Sequence, residues 1–212
     1  MKIVKVLFAA LLAATVFAPV AEAQLTAASA FADAPKTVFP LLDRNVRLDM
    51  VDYFNGGLST ASTNALQGKS RITALTPTDM KIAMTDASSY QLSLLPANND
   101  TIIALIQTVA TPAHDSHITF YSRSWAQLGD NLFSAPSLSD WMTPAAKKSG
   151  ADVSAMIPFM LAEYTYDPDS RTLTLKNNLS EFLSPDVYSL IGADLLPSMT
   201  YRWDGKRMNL SK

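Results

Sequence analysis

The 212-residue chain has no cysteine, is 48% apolar and 17% charged, and carries a formal net charge of -2. That composition excludes a disordered tail, a disulfide-stapled scaffold and a thiol enzyme. The low charge content, with acids in slight excess, supplies no long-range attraction for nucleic acid or anionic lipid.

The first 23 residues read as a signal peptide, with Lys2 and Lys5 before an uncharged stretch from Val6 to Val20 and a small-residue cleavage site at Ala21-Glu22-Ala23. A helix of ~15 residues spans only ~22 Å, short of the ~30 Å hydrocarbon core, so the stretch is too short for an anchor. With no cysteine at the cut, lipid attachment is excluded as well. The expected mature chain, residues 24–212, is a single domain of charge -3, periplasmic or secreted and not inserted in the membrane.

Gln24 to Lys36 reads as a small-residue leader, and Asn45 as the N-cap of a helix carrying Leu48, Val51 and Phe54, closed by Gly56-Gly57. Five alternating runs follow: Ser70–Leu75, Met80–Thr85, Tyr90–Leu95, Ile102–Thr111 and Ile118–Arg123. Their connections are turn-length, which forces antiparallel neighbours and a meander. In the fourth run Ile102, Ala104, Ile106 and Thr108 share one face, and Ile103, Leu105, Gln107 and Val109 the other. Being apolar on both faces, it is expected to be covered twice.

Ser137-Leu138-Ser139-Asp140 carries the Ser-x-x-Asp signal for a short helix, and Thr143 to Ser154 reads as an exposed loop. Phe159–Tyr166 and Arg171–Lys176 flank a turn at Asp167–Ser170. Ser184-Pro185-Asp186 opens a helix to Ile191 that Gly192 closes. Met199–Trp203 and Lys206–Leu210 enclose Asp204-Gly205, the strongest hairpin signal in the chain. The expected fold is α+β, an antiparallel meander sheet of about seven to nine strands with short helices packed on one face.

His114-Asp115-Ser116-His117 concentrates two imidazoles, a carboxylate and a hydroxyl in four residues. On an extended segment Asp115 and His117 share a face while His114 points away, leaving two metal donors where a site needs three or four. Adjacent strand residues also cannot line up a nucleophile, a base and an orienting acid. Tyr164, Tyr166, Tyr201 and Trp203 pair at i, i+2 on two strands, so each pair forms either a stacking surface for sugars or peptides or cross-strand packing. His114, Asp115, His117, Tyr164, Tyr166, Tyr201 and Trp203 are the candidate surface. No nucleotide, cofactor or metal motif is present, so no cofactor is expected.

Pro40-Leu41-Leu42, Asn45 to Phe54, Leu66 to Ser70, Asp115 to Ser122 and Tyr201 to Arg207 together resemble a Bacteroidales family of uncharacterised exported proteins, domain-of-unknown-function family 3256. The resemblance implies a bacterial periplasmic or secreted protein without a known activity. A cysteine common in that family near the position of Ala113 is absent, which leaves no shared thiol chemistry. The first expectation is a non-enzymatic binding or interaction module of the cell envelope, with an envelope protein or small ligand as partner. The alternatives are a hydrolase whose site gathers carboxylates from Asp49, Asp52, Asp115, Glu163 and Asp186, and a carrier of an apolar ligand.

Overall fold

The computed structural model describes residues 24–98, 100–110, 112–150, 153–157 and 159–211; the expected signal peptide lies outside them. Helices α1 (Ala27–Asp33) and α2 (Arg44–Asn55) precede six strands: β1 (Ser62–Thr63), β2 (Lys69–Leu75), β3 (Asp79–Thr85), β4 (Ser88–Ala97), β5 (Asp100–Ala110) and β6 (His114–Tyr121). These pair antiparallel in chain order as the meander that their short turns require. Helices α3 (Leu138–Trp141) and α4 (Pro144–Ser149) lead to β7 (Ala162–Asp167) and β8 (Thr172–Asn177). Then α5 (Leu179–Phe182) and α6 (Pro185–Ile191) lead to β9 (Ser198–Trp203) and β10 (Met208–Leu210), in a second sheet ordered β10-β9-β8-β7.

The class is α+β and antiparallel, with ten strands among the described residues divided between two sheets. The long connection from Tyr121 to Ala162 lifts the chain off the edge of the first sheet, so the later hairpins lie over its face instead of extending it. The first sheet is the middle layer. On one side Ile103 and Leu105 of β5, Met80, Ile82 and Met84 of β3, and Leu92 of β4 pack with Ala27, Phe31, Phe39, Leu42 and Met50. On the other, Ala104 and Ile106 of β5, with Ile118 and Phe120 of β6, meet Leu173, Leu175, Met199, Tyr201 and Trp203. β5 is therefore covered on both faces, as its two apolar rows require.

The leader after Gln24 is helical: Thr26 and Ser29 form a capping box, Ala27 N donates to Pro77 O at 2.8 Å, and Ala27, Ala30 and Phe31 are buried. Its small residues let the helix lie close against the sheet. Asp43, not Asn45, caps α2, accepting from Val46 N at 3.0 Å. The expected loop after Thr143 holds α4, bracketed by the Thr143 cap, Pro144 and the left-handed Gly150. The last hairpin turns through four residues rather than two, since Trp203 pairs with Met208; Asp204 Oδ1 accepts from Lys206 N and Arg207 N, and Gly205 takes φ +94°.

Arg47 of α2 is buried and joins both helices: its guanidinium donates to Leu42 O at 2.7 Å and to Ala32 O and Ala34 O at the end of α1. The carbon of the same guanidinium lies 6.0 Å from the Phe31 ring centroid and 5.8 Å from that of Phe39. Burial pulls its pKa below the ordinary arginine value, with Asp43 partly opposing.

Candidate functional site

β7 is the outer strand of the second sheet, so one row of its backbone groups has no strand to bond. Side chains rising from the first sheet take that place. Ala162 N donates to Asp115 Oδ1 at 3.2 Å, Tyr164 N to Ser116 Oγ at 2.9 Å and Tyr166 N to Gln91 Oε1 at 3.1 Å. Gln91 Nε2 donates back to Tyr166 O at 2.7 Å and to Asp79 Oδ1 at 2.8 Å. The Gln91 carboxamide thus supplies the donor and acceptor that a residue of a neighbouring strand would offer. Ser116 Oγ also lies 2.8 Å from Thr108 Oγ1, and Ser93 Oγ donates to Asp79, so two short side-chain relays, Gln91-Asp79-Ser93 and Ser116-Thr108, back the seam.

The seam accounts for most of the His-Asp-Ser-His cluster. Asp115 and Ser116 are backbone acceptors of the seam, and the His114 carbonyl accepts from Asn178 Nδ2 at 2.9 Å. His114 Nδ1 stands 3.8 Å from Glu163 Oε2, with both side chains over a third exposed, so solvent screens the pair. Among the described residues, no three His, Cys, Asp or Glu side chains gather closely enough to hold a metal ion.

His117 takes no part in the seam and is exposed. It borders a cleft of about 350 Å3 whose walls include Ile118, Asp130, Phe133, Ser134 and Tyr164. Phe133 forms the aromatic floor, edge-on to Tyr164 at 6.0 Å and to Tyr201 at 5.1 Å between ring centroids. Burial, reinforced by the nearby Asp115 carboxylate, pushes the Tyr164 phenol up to about 12. The hydroxyl therefore stays protonated, a donor at any physiological pH. A second cleft of about 250 Å3 lies beside β7 over the uncovered part of the first sheet, walled by Thr73, Lys81, Ser89, Thr108, Glu163 and Tyr164.

The other aromatic candidates form no surface. Tyr166 is 2% exposed, Tyr201 8% and Trp203 2%, because the face they share is the one turned toward the first sheet. Trp203 Nε1 donates to Pro96 O at 2.7 Å, tying the sheets together, while burial raises the Tyr166 phenol to about 12. Of the five carboxylates considered for hydrolysis, Asp49, Asp52 and Asp186 sit exposed on helices. Asp115 and Glu163 meet the seam and are both engaged there. Asp130, which opens a 3-10 turn, and Phe133 and Ser134 just beyond it lie in the segment after β6, where periodicity offers no signal for them.

The family model described as "Protein of unknown function (DUF3256)" matches residues 15–208. No curated protein matches the chain. A solved structure of a domain of an uncharacterized protein from Porphyromonas gingivalis W83 is similar, at 21% identity and a TM-score of 0.73 over 86% of this chain and 97% of that one. That likeness establishes the fold as a shared one.

Proposed function

We propose, for a chain that belongs to the DUF3256 family of proteins of unknown function, a role as an exported cell-envelope module that binds a small polar ligand without transforming it. The observation carrying this reading is the convergence of His117 and Tyr164, far apart in sequence, with Asp130, Phe133 and Ser134 on one cleft of about 350 Å3. That volume falls in the range of small-molecule sites, roughly 300–1,000 Å3. An aromatic and aliphatic floor under a rim of imidazole, carboxylate and hydroxyl groups suits a sugar ring, which has an apolar face and an edge of hydroxyls and amides.

Export is supported by the n-region, the apolar stretch and the Ala21-Glu22-Ala23 site, and by the position of α1. A cut before Gln24 leaves the capping box at Thr26 and the buried helix behind it whole. No helix among the described residues is long and apolar enough to cross a membrane. Intact mass of the protein recovered from periplasm or medium should correspond to residues 24–212; a membrane-bound mass retaining Met1–Ala23 would refute export.

Binding is tested by calorimetric titration with N-acetylglucosamine and its β-1,4-linked disaccharide, followed by chromatography of the incubated sugar. Saturable binding around the millimolar level, or about -4 kcal/mol, is expected for so small a ligand in an open cleft. The sugar should be recovered intact, and the His117→Ala/Asp130→Ala variant, altered only at exposed positions, should lose the binding. Absence of saturable binding would refute the reading. Cleavage of the disaccharide would replace it with the hydrolase.

A further inference from the structure

A third cleft, of about 500 Å3, opens where the β4–β5 end of the first sheet, the turn after β6 and the β7–β8 turn come together. Its lining residues include Arg123, Arg171, Thr78, Thr101 and Gln24. Chain segments widely separated in sequence thus bring two arginines and two threonines to the walls of one concavity, in a protein whose overall charge is negative.

Both arginines stand on backbone that the fold holds fixed. Arg123 belongs to a tight turn closed by Ser122 N donating to Ala126 O and Trp125 N donating to Ser122 O, each at 2.9 Å. Trp125, at φ +63°, anchors that turn by its buried indole, whose Nε1 donates to Ala30 O at 3.2 Å. Arg171 itself adopts φ +56°, a left-handed conformation that glycine or asparagine takes more readily, and its carbonyl accepts from Trp203 N at 2.9 Å. The turn would be easier to build with glycine. An arginine there supplies a side chain at the expense of the backbone.

We propose that this cleft binds a small oxyanion, a carboxylate or phosphate group, through Arg123 and Arg171 with Thr78 and Thr101 as further donors. The guanidinium fork matches the two oxygens of either group, and preorganised turns lower the ordering cost of closing on them. This assignment stands independently of the sugar cleft, with which it shares no lining residue.

The test is NMR titration of the purified protein at low ionic strength, with inorganic phosphate in one arm and succinate in the other, so that phosphate and carboxylate recognition separate. Saturable shifts are expected at Thr78, Thr101, Arg123 and Arg171 in at least one arm. Arg123→Gln and Arg171→Gln should each weaken binding by at least about tenfold, the loss of a charge-assisted bond. Arg171→Gly adds a discriminating readout. It should lose binding while its thermal midpoint stays equal to or above that of the wild type, because the left-handed strain is relieved. Absence of saturable shifts in both arms, or binding retained by Arg171→Gly or by the Arg123→Gln/Arg171→Gln double variant, would overturn the proposal.

Discussion

Replacing Gln91 with leucine removes the centre of the seam while nearly conserving volume. The wild-type side chain is 7% exposed, accepts from Tyr166 N, and donates to Tyr166 O and Asp79 Oδ1. In Gln91→Leu, Asp79 keeps Ser93 as a donor, but the Tyr166 N–H and C=O lose their partners in a packed interior. Each orphaned buried group costs roughly 2 kcal/mol, and the new leucine methyls recover about 1, leaving a net loss of about 3 kcal/mol. With a urea m-value of about 2 kcal/mol/M, the midpoint should fall by about 1.5 M without a change of slope. Amide exchange should accelerate at Tyr166 more than at Tyr164, whose N–H keeps Ser116. A midpoint shift below ~0.5 M, or unchanged exchange at Tyr166, would show that side chains of the first sheet do not hold the edge of β7.

Gly205→Val should cost more than ~1 kcal/mol in urea unfolding, since a β-branched residue is strained at φ +94° although a Cβ there would meet nothing within 4 Å. Arg47→Met should cost about 3 kcal/mol or more, because three carbonyls lose a charged donor, and Arg47→Lys should restore only part, as one ammonium cannot reproduce the fork. Spectrophotometric titration should find Tyr164 and Tyr166 ionising near pH 12 and Tyr121 and Tyr201 also later than free tyrosine, burial being the first cause in all four. Their folded-state pKa values lie above the unfolded value of about 10, so the unfolded chain releases these protons first and stability should fall as pH rises from about 10 to 12. Four ordinary titrations near 10 with flat stability would contradict the packing around these four side chains, Tyr121 on the first sheet and the other three on the second.

Much of the fold is legible locally. Alternation with turn-length breaks is enough for the meander, and the two apolar rows of Ile102 to Val109 require a covered strand. Ser137 to Asp140 and Ser184 to Asp186 mark α3 and α6 because cap chemistry depends only on near neighbours. What stays hidden depends on distant partners. Nothing within Ala162–Asp167 says whether it pairs with β6 or lies across it, and the partners of Tyr166 N and Tyr164 N sit 75 and 48 residues away. α1 escapes notice because an alanine-rich stretch without a charged face matches both a leader and a helix pressed flat on a sheet. In α4 the proline, lysines and glycine that suggest a loop are the start, last turn and stop of a short helix. His117 and Tyr164 were visible as candidates, whereas Asp130 and Phe133 become neighbours of theirs only through the path of the chain after β6.

The binding claim is tested most directly by a 1H–15N correlation titration of the protein with the N-acetylglucosamine disaccharide. Saturable shifts should concentrate at His117, Asp130, Phe133, Ser134 and Tyr164, with the amides of Asp49, Asp52 and Asp186 unmoved. Shifts that map elsewhere, or none up to ~20 mM sugar, well past the expected millimolar affinity, would contradict the binding claim.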